Sequence, residues 1–130
     1  MNKHLREYFD RQVEQVVAKL PPYVRELLRD VPLIIDDYPS PKLMRQMGSR
    51  RRNDVCGLYQ GIPLTARSVD QSGYPPSIIR LFRTAIMAES ENEAGELTDE
   101  ALCRLIRLVI LHEVGHHHGF DEDELEELGY

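Results

Sequence analysis

The segment from Thr98 to Gly119, TDEALCRLIRLVILHEVGHHHG, constrains the fold more than any other part of the sequence. Thr98 is a residue type that caps helix N-termini, and Asp99 and Glu100 then face the positive end of the helix dipole. The middle, LIRLVIL, is apolar nearly all round apart from Arg107, which predicts a helix packed on most sides by the rest of the domain. A buried helix that leads directly into a run of histidines is therefore predicted.

The bulk properties limit the function classes. A length of 130 residues suits one domain with its own core, and we expect residues 1–130 to form a single domain. The formal charge of -6 argues against a general nucleic-acid or membrane binder, because such proteins carry a surplus of Lys and Arg. No signal peptide or membrane span is evident, so we expect a cytoplasmic protein. Cys56 and Cys103 stand far apart, which indicates neither a disulfide framework nor a thiolate zinc site.

Two helices are predicted at the start of the chain. Apolar residues between His4 and Leu20 recur at helical spacing, with Arg, Glu and Gln between them. Pro21 and Pro22 interrupt this pattern, and a second short helix follows, because proline is tolerated in a first turn but not in a helix interior.

Three apolar runs, VPLII, VCGLYQGIPL and PSIIRLFR, are typical of strands and predict a small sheet of about three strands. The stretch from Asp36 to Asp54 carries Pro, Gly and Ser without periodicity, so we predict a long surface connection. Its tip holds Arg50, Arg51 and Arg52, which we interpret as a solvated loop without a binding role. AESENEAGEL is predicted to be an acidic loop.

The histidine cluster has the spacing of a metal site. His112 and His116 lie one helical turn apart and within roughly 40° of each other on the helix surface, so both rings can reach one point. Glu113 lies about 100° around from His112 and flanks that point. In this HExxH pattern two imidazoles hold Zn²⁺, and the glutamate takes a proton from a water on the metal. His117 and His118 project away, and we expect them to serve in packing, at the surface or behind the ligands.

A catalytic zinc usually takes three protein ligands and leaves one position for water, so a residue beyond the helix must supply the third. Gly119 can adopt the left-handed conformation that ends a helix and folds the chain back. A residue about three positions later then reaches the metal. Glu122 is the favoured ligand, and Asp121 and Asp123 stay open as alternatives. Gly115 indicates a close approach by another backbone, a substrate or a packed helix.

Three blocks, GLYQGIPLTARSV, PSIIRLFR and LHEVGHHHGFDEDELEELGY, stand in this order and carry a likeness that covers almost the whole chain. Together they resemble the short bacterial zincin-like metallopeptidases, also called minimal zincins. The resemblance implies an α+β zincin-like fold, with a small mixed sheet packed on the HExxH helix and helices at the N-terminus. It also implies zinc ligands at His112, His116 and Glu122 and a catalytic Glu113. The third ligand is often aspartate in this family, so Glu122 departs by one methylene.

The leading hypothesis is a zinc-dependent peptidase that acts on a peptide or protein substrate, with Glu113 as general base. An extended substrate would pair with an exposed sheet edge, either GLYQG or IIRLF. Tyr59 or Tyr130 is a candidate donor to the developing oxyanion, although core packing or simple exposure suits each tyrosine better. One alternative is a domain that binds metal or a partner without turnover. Another is a structural metal that holds the C-terminal tail against the helix.

Overall fold

The computed structural model describes residues 1–68 and 73–130. Val69, at the end of the block GLYQGIPLTARSV, lies outside the described residues. The described elements are six α-helices, a short 3-10 helix (Leu64–Ala66) and three strands, which confirms the α+β class. The α-helices and strands carry the labels below. In chain order they are α1 (Lys3–Ala18), α2 (Pro22–Asp30), β1 (Leu33–Asp36), α3 (Pro41–Met47), β2 (Gly57–Gln60), β3 (Ile78–Phe82), α4 (Arg83–Ser90), α5 (Asp99–His117) and α6 (Glu122–Glu127).

The two amino-terminal helices form as predicted. In α1 the side chain of Asn2 accepts a hydrogen bond from the Leu5 amide and caps the helix. Phe9, Val13 and Val16 are buried along one face. Leu5, in the first turn, is 42% exposed. Helix α2 begins with Pro22 in its first turn.

The predicted sheet of about three strands is confirmed, with the order β1-β3-β2. Strand β3 pairs in parallel with β1, where Leu33 lies opposite Ile79. It pairs antiparallel with β2, where Leu58 lies opposite Arg80. The sheet is therefore mixed. IIRLF is its central strand, so its prediction as a possible substrate edge is wrong, whereas GLYQ is an edge strand.

Helix α5 is the central element of the core. Thr98 caps it as predicted, since its side chain accepts a hydrogen bond from the Ala101 amide. The helix packs against α1, α4, β2 and β3. It is less completely covered than its apolar sequence predicts, because Leu108 is 39% exposed and Leu105 is only partly buried. In the described parts of the chain, no helix has both the length and the apolar character needed to cross a bilayer.

Two predicted loops contain helices. Helix α3 lies inside the predicted connection between residues 36 and 54, where Ser40 caps it, Pro41 occupies its first turn and Gly48 ends it at φ 71. These residues are typical of helix ends. The helix buries none of its residues, however, so its sequence has no apolar stripe from which it could be predicted. The loop predicted from Ala88 is also partly wrong, because α4 continues to Ser90.

An ion-pair network joins α1 to the end of β1 and to the start of α4. Arg6 donates to Asp37 over 2.6 Å, and Arg83 donates to Asp37 over 2.9 Å. Arg83 also pairs with Asp10 of α1 over 3.0 Å. Hydrogen bonds from Arg6, with a further contribution from Arg83, outweigh burial and lower the pKa of Asp37. The network therefore ties three sequence-distant segments together at neutral pH.

We predict that Asp37→Asn lowers the free energy of unfolding by about 1–2 kcal/mol at pH 7, because it removes the shared anion between two guanidinium groups. Since the pKa of Asp37 is lowered in the folded protein, this stabilisation is present at neutral pH and is lost as the pH falls through that lowered value. Urea unfolding at several pH values measures it. The exposed Asp30→Asn is the control and should change stability by less than about 0.5 kcal/mol.

Candidate metal centre

Helix α5 presents two imidazoles on one face. The ring centroids of His112 and His116 lie 4.9 Å apart, and both side chains are partly exposed to the cleft beside the helix. Glu113, between them in sequence, is 7% exposed and lies with an oxygen 4.0 Å from Nε2 of His112. The HExxH spacing therefore gives the expected geometry. The two imidazole rings face the cleft, and Glu113 lies buried beside them.

The chain reverses immediately after α5. Gly119 has φ +99, and its amide and that of Phe120 bond back to the carbonyls of His116 and Gly115, at 3.0 Å each. This pair of backbone hydrogen bonds is the Schellman motif, which ends a helix with a residue in the left-handed conformation. A Cβ on residue 119 would lie 2.2 Å from Oγ1 of Thr65, so the turn also requires glycine for space.

The reversed chain brings Glu122 to the two imidazoles. Its carboxylate lies 2.6 Å from Nε2 of His116 and 3.1 Å from Nε2 of His112. One ligand atom from each of the three residues falls within 4.8 Å of the other two. Asp121 caps α6 instead, where it accepts a hydrogen bond from the Glu124 amide. Of the three acids that the sequence left open, the structure places Glu122 with the histidines.

The hydrogen bond at Nδ1 of His116 determines the protonation of the other ring nitrogen, Nε2, which faces the cleft. Its Nδ1 lies 2.9 Å from the carbonyl oxygen of Phe120. A carbonyl oxygen only accepts, so Nδ1 carries the proton and Nε2 of the neutral ring presents a lone pair. That lone pair faces a carboxylate oxygen of Glu122 at 2.6 Å. Two electron-rich atoms this close must share a proton, so the contact is a charge-assisted hydrogen bond between the ring and the carboxylate.

The two glutamates of the cluster have opposite electrostatic environments. Burial raises the pKa of Glu113, against the lowering effects of His112, His116 and a hydrogen bond from the Tyr59 amide. Burial also raises the pKa of Glu122, but hydrogen bonds from His112 and His116 outweigh it and the net shift is downward. Glu122 is therefore suited to remain an anion, and Glu113 is suited to exchange a proton.

The remaining histidines lie apart from the cluster. His117 is 4% exposed, and its Nδ1 lies 2.9 Å from the phenol of Tyr59. The same phenol lies 2.9 Å from the hydroxyl of Ser77. Burial and the charges of His118 and Arg67 lower the pKa of His117. This network links α5 to β2, and it occupies the Tyr59 hydroxyl that the sequence offered as an oxyanion donor.

Sequence reasoning missed Ser77 and Arg67 as parts of this network. Arg67 donates to the Ser77 hydroxyl over 3.0 Å and to the carbonyl of Ile62 over 2.9 Å. His117 was expected to serve in packing, at the surface or behind the candidate ligands, but nothing in the spacing of Tyr59 and His117 along the chain indicates that they meet. They meet only because β2 packs against α5 in the fold.

Gly115 serves helix packing. A Cβ on residue 115 would lie 2.4 Å from Cδ2 of Leu125, which is a fully buried side chain of α6. Of the approaches that the sequence allowed at this glycine, the structure shows that of a packed helix. The contact fixes α6, and with it Glu122, against α5.

A cleft of about 910 Å³ runs along α5 and β2 past the cluster. One end is lined by Leu105 and Leu108, and the other by Phe120 and Tyr130. The Phe82 amide bonds to the Cys56 carbonyl of the neighbouring strand over 2.9 Å. Since antiparallel pairs alternate, the backbone groups of residues 57 and 59 point away from β3, toward the free edge of the sheet. The Tyr59 backbone lowers the pKa of Glu113, which agrees with an amide directed toward the helix.

The family comparison covers most of the chain. Residues 28–130 match the model of the zincin-like metallopeptidase family, so the chain belongs to that family. No curated protein sequence matches it. Family membership implies a zinc cofactor in general, and the arrangement of His112, His116 and Glu122 agrees with it.

We predict that Glu122→Gln weakens zinc binding about 100-fold or more, because the amide removes the anion that faces both imidazoles. Competition with a fluorescent chelator at pH 7.5 measures the Kd. Asp121→Asn keeps a capping side chain, and Asp123→Asn changes the acid next in sequence, so both should stay within about twofold of the wild type. Loss of zinc by either control, with Glu122→Gln unaffected, would assign the third ligand elsewhere.

We also predict that Gly119→Ala weakens zinc binding about tenfold and destabilises the fold by about 2 kcal/mol, because the left-handed turn and the Thr65 contact both resist a methyl group. Gly48→Ala is the matched control, since Gly48 has φ +71 but open space around it and lies at the end of α3. It should cost about 1 kcal/mol and leave the zinc Kd unchanged. Equal zinc affinities in the two variants would contradict a positioning role for the turn.

Proposed function

We propose that this protein is a zinc-dependent peptidase whose metal ligands are His112, His116 and Glu122 and whose general base is Glu113. One observation carries the proposal: two imidazole nitrogens and a carboxylate converge within 4.8 Å, beside a buried glutamate and an open cleft. Membership in the zincin-like metallopeptidase family supports the reaction class.

The donor set fits a divalent zinc ion. Imidazole nitrogen and carboxylate oxygen are both common zinc ligands, and three protein ligands leave a position for water or substrate. The side chain of Glu122 is 72% exposed, so the cluster is accessible from the cleft rather than enclosed. A zinc ion held there would supply Lewis-acid chemistry, polarising a substrate carbonyl and acidifying a water molecule. The bond from His116 to the Phe120 carbonyl would hold the imidazole in the ligating tautomer.

Glu113 is positioned to move protons. Its carboxylate would take a proton from the attacking water and deliver a proton to the nitrogen of the departing amine, so that water adds across the peptide bond. The Tyr59 backbone and the two imidazoles stabilise the carboxylate form of Glu113, and burial opposes them. The raised pKa of Glu113 suits a group that must both accept and release a proton near neutral pH.

The substrate would bind as an added strand along β2. The free edge of this strand borders the cleft, and the carbonyl groups of residues 57 and 59 face it. A peptide in extended conformation would hydrogen-bond to these groups and pass over the metal ligands. Gly57 allows close packing here, because a Cβ on residue 57 would lie 2.5 Å from Cγ1 of Val109.

We predict that Glu113→Gln retains one zinc ion per chain and loses about 10²–10⁴-fold in peptide hydrolysis, because the amide cannot accept a proton. Zinc content by atomic emission and cleavage of a mixed peptide pool by mass spectrometry give the two readouts. Glu127→Gln, an exposed position of α6, is the control and should match the wild type in both. Equal cleavage by Glu113→Gln would exclude the assigned base. Zinc binding without cleavage by any form would favour a catalytically silent metal-binding domain.

A further inference from the structure

The ionised carboxylates that line the cleft give it a negative charge. Five carboxylates line it, and among the described residues no lysine or arginine does. The five are Asp54, Glu89, Glu113, Asp121 and Glu122. A cleft lined by charges of one sign attracts groups of the opposite sign, because its low-dielectric walls focus the field. The lining therefore favours a cationic occupant.

Most of these acids already have a role. Glu113 and Glu122 belong to the metal centre, and Asp121 caps α6. Asp54 and Glu89 remain. Glu89 is held beside the start of β2, because the thiol of Cys56 donates to its carboxylate over 2.9 Å. Burial raises the pKa of Cys56 to about 12, and the neighbouring carboxylate of Glu89 contributes to this shift. The thiol therefore keeps its proton, and the hydrogen bond persists at neutral pH.

Apolar side chains line the same cleft as Glu89 and the candidate metal centre. Leu105, Leu108 and Val109 line this part of the cleft. Leu105 precedes His112 by seven residues of helix, which is about 10 Å along the axis. Three residues of an extended peptide span about the same distance. A lysine or arginine in this span would lay its aliphatic stem on the leucines and place its charged head at the carboxylate.

We propose that the cleft selects peptides with a lysine or arginine within three residues of the cleaved bond, with Glu89 as the residue that determines the preference. This inference rests on the proposed peptidase function. Leu105 and Leu108 contribute the apolar surface for the side-chain stem. Charge complementarity then distinguishes a basic residue from an aliphatic one of the same length.

The direction of β2 determines on which side of the bond the basic residue lies. The chain runs from Cys56, which precedes β2 and bonds to Glu89, to Tyr59 of β2, whose backbone acts on Glu113. A peptide paired antiparallel to it runs the opposite way, so its chain passes the catalytic group first and Glu89 afterwards. In this orientation the basic residue would lie on the C-terminal side of the cleaved bond, whereas parallel pairing would place it on the N-terminal side.

Glu89 carries more of the preference than Asp54. Asp54 also lines a separate depression with Arg51 and Arg52, whose positive charges oppose its field. Glu89 lies in the last turn of α4, where a lysine would interact favourably with the helix dipole. Charge reversal at this position is therefore compatible with folding.

The test uses zinc-loaded protein and sets of peptides that differ at one position, with lysine, norleucine or glutamate there. Norleucine keeps the aliphatic stem of lysine without the charge. We expect kcat/KM to be about fivefold higher for lysine than for norleucine with the wild type. Glu89→Gln should abolish this difference, and Glu89→Lys should invert the preference toward glutamate. Raising NaCl from about 0.05 M to about 0.5 M should reduce the preference.

Glu91→Lys is the matched control, because it introduces the same charge change at an exposed position outside the cleft. It should keep the wild-type preference. Equal rates for lysine and norleucine, or a preference unchanged in Glu89→Lys, would overturn the inference. Fluorescence anisotropy with the same peptides separates it from the peptidase proposal. If nothing is cleaved, tighter binding of the lysine peptide still supports the selection, and equal binding of all three overturns it.

Discussion

The contact between Leu125 and Gly115 is the interaction on which the candidate site depends. Helix α6 has only six residues and would not be stable alone, so its position comes from packing. The missing side chain at Gly115 lets the buried Leu125 lie directly on the backbone of α5. The Gly119 turn fixes the direction of the returning chain, and Leu125 fixes its distance. Together they place the carboxylate of Glu122 in front of two imidazoles that the helix has already aligned.

The histidines at the end of α5 point in different directions, because successive residues of a helix are rotated by about 100°. His112 and His116 face the cleft, whereas His117 faces the buried side and bonds to Tyr59 of the edge strand. The backbone of the same strand residue also lowers the pKa of Glu113. The strand that would bind the proposed substrate therefore also influences the proposed base.

Local patterns in the sequence predicted the elements that carry a strong apolar or capping signal. The start of α5 at Thr98, the three strands and the reversal at Gly119 follow from such patterns. Helix α3 was missed because it buries no residue and so has no apolar face to recognise. The order of the strands was also beyond reach, since the spacing of apolar residues marks a strand without giving its neighbours. For the same reason the meeting of Tyr59, Ser77 and His117 required the structure.

The exposure of Leu108 shows how a small domain makes room for a cleft. In a fully packed helix this leucine would be covered, and the apolar sequence of α5 predicts such covering. Instead β2 reaches only from Gly57 to Gln60, and its free edge stands beside the helix without covering that face. The uncovered leucines cost stability, because apolar surface stays in contact with water. The proposed function requires such an open surface, because an extended peptide would enter there and pair with the backbone groups of the edge strand.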